Sequence, residues 1–138
     1  MLRTVFAFIS GVFATMIIIT FVELANAKFF FPPPAGLDWA DTRSVAAFAA
    51  SLPTAAMAIV LAGWLLGAFV GAAVAARIAL RHAMPCALLI GAVVAAGVID
   101  SGLSIPHPTW VIAAGVLLPI PLAYLAGKLF QNGLARTK

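Results

Sequence analysis

Long stretches without a charged residue dominate this sequence. A helix needs roughly 20 apolar residues to cross the ~30 Å hydrocarbon core of a bilayer. No Asp, Glu, Lys or Arg occurs within residues 4–22, 44–76, 82–99 and 101–127. Each of these windows reaches or approaches the length of one span. The sequence therefore predicts four transmembrane helices, at about residues 5–27, 54–76, 83–103 and 110–130.

Composition supports the same prediction. Of the 138 residues, 64% are apolar and only 9% are charged, whereas a soluble domain carries roughly a quarter charged residues. Four helices use nearly the whole chain, so we expect a single all-α membrane domain over residues 1–138, with the lipid bilayer as its solvent. No glycine-rich phosphate loop, activated nucleophile or paired carboxylates are apparent, so neither an enzyme nor a cofactor is predicted, and no nucleic-acid partner is expected.

The distribution of basic residues predicts the orientation. Lys and Arg collect beside the cytoplasmic ends of membrane helices. With the four predicted spans, only Lys28 and Arg43 fall in the loops of one side. Six basic residues fall on the other side, which are Arg3, Arg77, Arg81, Lys128, Arg136 and Lys138. We therefore expect a multi-pass protein of the inner membrane with both termini in the cytoplasm, and lipid phosphate contacts from Arg77, Arg81 and Lys128.

The first span and the segment after it carry local signals. Ala25-Asn26-Ala27 has the form of a signal-peptide cleavage site, but the apolar stretch before it is longer than usual and contains Glu23, so we expect this span to be retained. In the external segment that follows, Asp41 could cap a helix that opens at Thr42, and Pro53 marks a bend. This short helix is expected to lie in the membrane interface.

Small residues recur at helical spacing in two of the spans. The second span has Gly63, Gly67, Gly71 and Ala75 at every fourth position, and the third has Gly91 and Ala95. Small residues at this spacing let two helix backbones approach closely in lipid. The partner helix could belong to the same chain or to a second copy. Trp64, near the middle of the second span, is expected to fill space beside the glycines.

The fourth span contains two prolines, Pro119 and Pro121. Proline lacks the amide hydrogen that bonds the carbonyl four residues earlier, so we expect this helix to be kinked or locally unwound there.

Three polar residues are predicted at the external membrane boundary. They are Glu23 and Asp100 near the ends of the first and third spans, and His107 in the last loop. One interpretation is structural, with hydrogen bonds between helix ends, and the other is a gate or ligand site for transport, because ionisable groups are costly in a membrane unless wet or paired. No metal site is assigned, since no close spacing such as His-x-x-x-His accompanies them.

As a whole, the chain resembles the small four-helix inner-membrane proteins of unknown function found in bacteria. The resemblance lies in the Phe-Pro-Pro-Pro loop, the helix around Gly63 to Gly71 and the Ile-Pro-His-Pro loop, and it implies no activity. Two functional hypotheses follow from the residues. The first is a structural or interaction protein, as a homo-oligomer or an accessory subunit of a larger membrane complex that packs through the Gly63, Gly67 and Gly71 helix. The second is a small oligomeric transporter or channel that uses Glu23 and Asp100.

Overall fold

A computed structural model describes the backbone of residues 1–135 and the side chains of residues 1–131. Within these residues the chain forms helices joined by short non-helical segments, and it forms no strands. The α-helices are α1 (Leu2–Ala25), α2 (Thr42–Ser51), α3 (Thr54–Ala79), α4 (Ala83–Ser104), α5 (Thr109–Leu117) and α6 (Pro119–Ala135). A π-helical turn at Asn26–Phe30 extends α1, and a 3₁₀ turn at Leu80–His82 joins α3 to α4. Arg136 and Lys138, predicted above to be cytoplasmic, lie outside the described residues.

Three helical segments are long and apolar enough to cross a membrane. They are Leu2–Phe30, Thr54–Ser104 and Thr109–Gln131, and an 18-residue window in each has a mean hydropathy of 2.5, 2.2 and 1.9, respectively. The middle segment has 51 residues and folds back on itself at Leu80. The φ angle of Leu80 is 53°, a value that residues other than glycine rarely adopt. The prediction of an all-helical membrane-type chain is therefore confirmed at this level.

Side-chain contacts show that α1 and α3 run antiparallel. Near the start of α1, Arg3 Nε donates to the carbonyl oxygen of Ile78 at 2.6 Å. In the middle, Thr15 Oγ1 donates to the carbonyl oxygen of Gly67 at 3.1 Å. Just beyond α1, Asn26 Nδ2 donates to the carbonyl oxygen of Ala56 at 3.3 Å. As the residue number rises along α1 it falls along α3, so the two helices lie side by side over their full length.

The helix α3 occupies the centre of the bundle. It packs against α1, α4 and α6, whereas α1 touches α4 over only a short stretch. The interior around α3 is built mainly from alanines, with a few larger side chains such as Ile90 and Val111. Because small residues bring helices close together, the bundle is held by tight van der Waals contact between backbones, which is the usual basis of helix packing in lipid.

The surface of α1 has the polarity expected of a helix in lipid. Its buried face consists of Ala7, Gly11 and Thr15, one residue per turn. Its outward face carries large apolar side chains that are more than half exposed, which include Leu2, Phe6, Ile9, Phe13, Ile17, Phe21 and Leu24. A protein in water would place the large apolar side chains inside. This arrangement therefore favours hydrocarbon as the surrounding medium.

One end of the bundle collects basic residues. The start of α1, the turn between α3 and α4 and the later part of α6 meet there, and we call this the basic end; it carries Arg3, Arg77, Arg81 and Lys128. The Arg77 guanidinium lies 4.9 Å from the centre of the Phe130 ring. Thr4 Oγ1 and His82 Nδ1 lie 3.4 Å apart, which also places the start of α1 beside the turn.

The segment between α1 and α3 lies at the opposite end. Its helix α2 begins at Thr42 after Asp41, whose carboxylate accepts hydrogen bonds from the backbone amides of Arg43 and Ser44. Leu52 and Pro53 are extended and separate α2 from α3. The Asp41 carboxylate also accepts a hydrogen bond from the Ser44 hydroxyl, and this bond is the main reason that the pKa of Asp41 is lowered.

Candidate functional site

Glu23 and His107 both contact the same aromatic side chain, that of Trp64. Trp64 Nε1 donates a hydrogen bond to Glu23 Oε1 at 3.3 Å. The rings of Trp64 and His107 have their centres 5.5 Å apart, with their planes inclined at 51°. Trp64 is 5% exposed. The structure thus links two of the three polar residues singled out in the sequence through a tryptophan that we expected only to fill space.

His107 is anchored within its own loop. Its Nδ1 lies 2.8 Å from the carbonyl oxygen of Ile105. A carbonyl oxygen can only accept, so Nδ1 carries the proton of this bond. The half-buried ring is thereby fixed against Trp64.

Asp100 does not join this group. It is exposed near the end of α4 and does not line the groove described below. In the part of the chain that the structure describes, no three His, Cys, Asp or Glu side chains lie close enough together to hold a metal ion. The structure therefore links Glu23 and His107 through Trp64, and it does not place Asp100 in the lining of the groove.

Beside the Glu23–Trp64 pair, a groove of about 320 Å³ runs between α1 and α4. Its walls are apolar over most of their length, with Val12 and Ile90 among the residues at one end. At the other end the lining includes Glu23, Trp64 and Ser101. The groove is open on one side, where Met16 and Val93 are 54% and 40% exposed. The groove thus combines long apolar walls with one carboxylate at one end.

The groove exists because α1 packs closely against α3 and less closely against α4. A methyl group added at Gly63 would lie 2.9 Å from Val22, and one added at Gly67 would lie 2.8 Å from Ile19. These approaches are closer than van der Waals contact permits, so only glycine lets α1 come so near to α3. On the α4 side, a methyl group at Gly97 would meet nothing within 4 Å. Close packing on one side of α1 thus leaves space on the other.

Thr15 lies where α1 packs tightly against α3. Its hydroxyl lies 3.0 Å from the carbonyl oxygen of Gly11 and 3.1 Å from that of Gly67. A methyl group on Gly71 would overlap this hydroxyl. Likewise, a methyl group added at Gly11 would lie too close to the Ala75 side chain. The predicted small-residue row of the second span therefore contacts α1 of the same chain.

The predicted small residues of α4 are also buried. Gly91 faces α6, where an added methyl group would lie 2.8 Å from the Ala123 side chain and 2.9 Å from the carbonyl oxygen of Pro119. Ala95, one turn further on, is 7% exposed.

The fourth predicted span, in which we expected a break at the prolines, is divided into two helices beside Gly91. The first, α5, ends at Leu117, and the second, α6, begins at Pro119.

The two prolines differ in their surroundings. Pro119 is fully buried, and Pro121 is exposed. Neighbouring amides remain bonded, since Leu118 N donates to the carbonyl oxygen of Ala114 and Leu122 N to that of Leu118. The break is therefore confined to a few residues next to Gly91.

The three basic residues predicted to contact lipid phosphates are all exposed at the basic end. Arg77 and Lys128 each lie over an aromatic ring, Phe130 and Tyr124 respectively. Arg81 lies in the turn between α3 and α4. Their apolar stems can follow the helix surface while their charges point toward water, as is typical of basic residues near a membrane surface.

Comparisons with known proteins give this chain no relative: no protein-family model, no curated protein and no solved structure matches it.

Proposed function

We propose that this protein binds a small amphiphilic molecule inside a bacterial inner membrane, in the groove between α1 and α4. The observation that supports this most strongly is the position of Glu23. It is the only acidic residue of α1, it lines a groove that is otherwise nearly apolar, and it is held by Trp64. Ionisable groups within membrane segments are candidates for function because they are costly to retain.

In this function the chain crosses the membrane four times. At 1.5 Å per residue, α3 and α4 are about 39 Å and 33 Å long, and each is sufficient for a hydrocarbon core of ~30 Å. The helices α5 and α6 together form the fourth span. Because basic residues mark cytoplasmic ends, we place the basic end, and with it both termini, in the cytoplasm. Arg77, Arg81 and Lys128 then meet lipid phosphates, and α2 lies in the external interface.

This proposed function agrees better with the second hypothesis, a small transporter or channel, than with the first, a protein that associates through the Gly63, Gly67 and Gly71 helix. Gly63, Gly67 and Gly71 contact α1 of the same chain, so this face of α3 is covered. A second copy or a partner subunit would need a different surface of the bundle. Glu23, in contrast, is exposed and lines the groove.

The fluorescence of Trp64 offers a direct test of binding. Trp64 lies in the lining of the groove, and the chain has two other tryptophans, Trp39 and Trp110. With both replaced by phenylalanine, the emission of the remaining tryptophan reports on the groove. We expect a saturable change in emission when a twelve-carbon amphiphile is added to the protein in phosphatidylcholine nanodiscs.

Two variants of α4 separate groove binding from general partitioning into the bilayer. Gly97→Leu places a large side chain in the groove, where a Cβ has open space around it. Ala96→Leu adds the same side chain at an exposed neighbouring position that does not line the groove. The saturable change should weaken at least tenfold in Gly97→Leu and persist in Ala96→Leu. An emission change that never saturates, or one that Gly97→Leu leaves intact, would refute binding in the groove.

A further inference from the structure

We infer that the ligand of this groove is a lipophilic amine, with an ammonium group beside Glu23 and a single alkyl chain along the apolar walls. This inference rests on the proposed function and names the class of molecule that the groove takes.

The charge of the groove favours a cation. Among residues 1–131, whose side chains the structure describes, Glu23 is the only charged residue that lines the groove. The basic residues of α1 and its extension are Arg3 at the basic end and Lys28, whose ammonium lies 5.7 Å from the centre of the Phe29 ring. An anionic head group would therefore meet a carboxylate of like charge, whereas an ammonium would meet its complement.

The hydrogen-bonding capacity of the site favours a donor. Trp64 Nε1–H is already directed at Glu23 Oε1, and this bond fixes the carboxylate at the edge of the groove. A carboxylate has about four acceptor positions, so several stay open to a ligand after this bond. A primary ammonium supplies three donors. Bonds between an ammonium and a carboxylate are about twice as strong as neutral hydrogen bonds.

The shape of the groove favours one chain. From Val12 to Glu23 the helix α1 rises about 16 Å at 1.5 Å per residue. An extended chain covers about 1.2 Å per bond, so roughly a dozen carbons match this length. The volume of about 320 Å³ lies near the lower end of the range of ~300–1,000 Å³ for small-ligand sites. A phospholipid with an amine head group would bring a second chain and a phosphate beside Glu23, and it suits the site less well.

Four probes with the same dodecyl chain test this inference in the single-tryptophan protein. They are dodecylammonium, dodecyltrimethylammonium, dodecanol and dodecyl sulfate, each measured in phosphatidylcholine nanodiscs and expressed as mole fraction in the bilayer. We expect dodecylammonium to bind at least ten times more tightly than dodecanol, and dodecyl sulfate to bind most weakly. The trimethyl probe retains the charge without N–H donors, and it should fall between dodecylammonium and dodecanol.

The acidic residues provide a matched pair of variants. Glu23→Gln keeps an oxygen that can accept from Trp64 but removes the charge, and it should abolish the preference for the ammonium over dodecanol. Asp100→Asn removes an exposed charge that does not line the groove, and it should preserve this preference. A general attraction of cations to any exposed carboxylate would instead weaken equally in both variants, and that result would overturn the inference.

The outcomes separate the two proposals. Saturable binding of dodecanol or dodecyl sulfate as tight as that of dodecylammonium would overturn the amine and leave the groove as a binding site. The absence of saturable binding for all four probes would overturn the proposed function itself. The comparison of probes on the unmodified groove remains decisive even if Glu23→Gln fails to fold.

Discussion

Thr15 and the glycines around it show how a single side chain sets the distance between two helices. The Thr15 side chain is 4% exposed, and its hydroxyl lies within hydrogen-bond distance of Gly11 on its own helix and Gly67 on α3. Nothing larger than a hydrogen atom fits opposite it at Gly71. The contact therefore depends on the absence of a side chain at one position and the presence of a small hydroxyl at another.

Gly71→Ala is expected to destabilise the bundle. The new methyl group would overlap the Thr15 hydroxyl and lie 2.6 Å from the Gly11 carbonyl oxygen, so α1 must move away from α3. Overpacking of this kind costs about 1–3 kcal/mol. Unfolding by sodium dodecyl sulfate from mixed micelles, followed by circular dichroism, measures the change. Gly97→Ala is the control and should be neutral or stabilising by about 0.5–1 kcal/mol, since its methyl group meets no neighbour and alanine favours the helix. Equal stability of the two variants would contradict the packing described here.

Asp41 should titrate below the usual range for an aspartate. Its pKa is lowered first by the Ser44 hydroxyl and then by the Arg43 amide. The Asp41 cap therefore contributes its full stabilisation at pH values above the pKa that this aspartate has in the unfolded chain. Its contribution is lost as the pH falls below about 3.8 and through the lower pKa of Asp41 in the folded protein. Ser44→Ala should raise the pKa of Asp41 in a carboxyl carbon NMR titration. Ser51→Ala, which removes a hydroxyl bonded to Phe48 in the same helix, should leave it unchanged.

At the scale of the elements, the hydropathy pattern predicted where apolar helices lie but not how they end or meet. The predicted span 54–76 and the observed α3 begin at the same residue, because Pro53 stops the preceding helix. The end of α3 extends to Ala79, past Arg77, since a basic side chain at the surface does not interrupt a helix. The turn at Leu80 carries no Gly, Asn or Pro of its own, so nothing in the sequence marked its backbone.

The turn at Leu80 is expected to hold strain that glycine would release. Leu80 has φ 53° and ψ −88°, near the rare and strained γ-turn conformation. A residue held in such a region costs about 1–3 kcal/mol, and glycine reaches it without a steric penalty. Leu80→Gly should therefore raise the free energy of unfolding by about 1 kcal/mol, measured by the same detergent titration. Ala79→Gly, one residue earlier in helical conformation, should lower it by about 0.5–1 kcal/mol. Loss of stability in both variants would indicate that Leu80 is not strained.

In the candidate site, the sequence likewise indicates one of the interacting residues but not its partner, which lies far away along the chain. Glu23 could be selected from the sequence because an acidic residue inside an apolar helix is conspicuous by itself. Its partner Trp64 is 41 residues away on another helix, and periodicity within one helix cannot determine which faces of two helices meet. The grouping of Asp100 with Glu23 relied on equal depth alone, and depth does not specify the direction in which a side chain points around the helix axis.

At the scale of the whole molecule, the antiparallel packing of consecutive helices predicts which loops share a side of the membrane. The basic end contains the turn with Arg81, and the opposite end contains the segment with Ala35 and the loop with Pro108. Cys86, the only cysteine, is buried, so Cys86→Ser provides a background without thiols. Single cysteines at exposed positions then report on each loop separately.

We expect a membrane-impermeant maleimide to label Ala35→Cys and Pro108→Cys from outside bacterial spheroplasts. Arg81→Cys should react only after the membrane is permeabilised, because the proposed four spans and the excess of basic residues at the basic end predict that this turn lies in the cytoplasm. Labelling of Arg81→Cys alone from outside would invert the orientation. Labelling of all three from outside would show that Thr54–Ser104 does not cross the bilayer twice. Inversion would place Glu23 near the cytoplasmic face at the same depth, whereas loss of the double crossing would remove the four-span setting in which the proposed groove meets the bilayer, so this measurement also tests that setting.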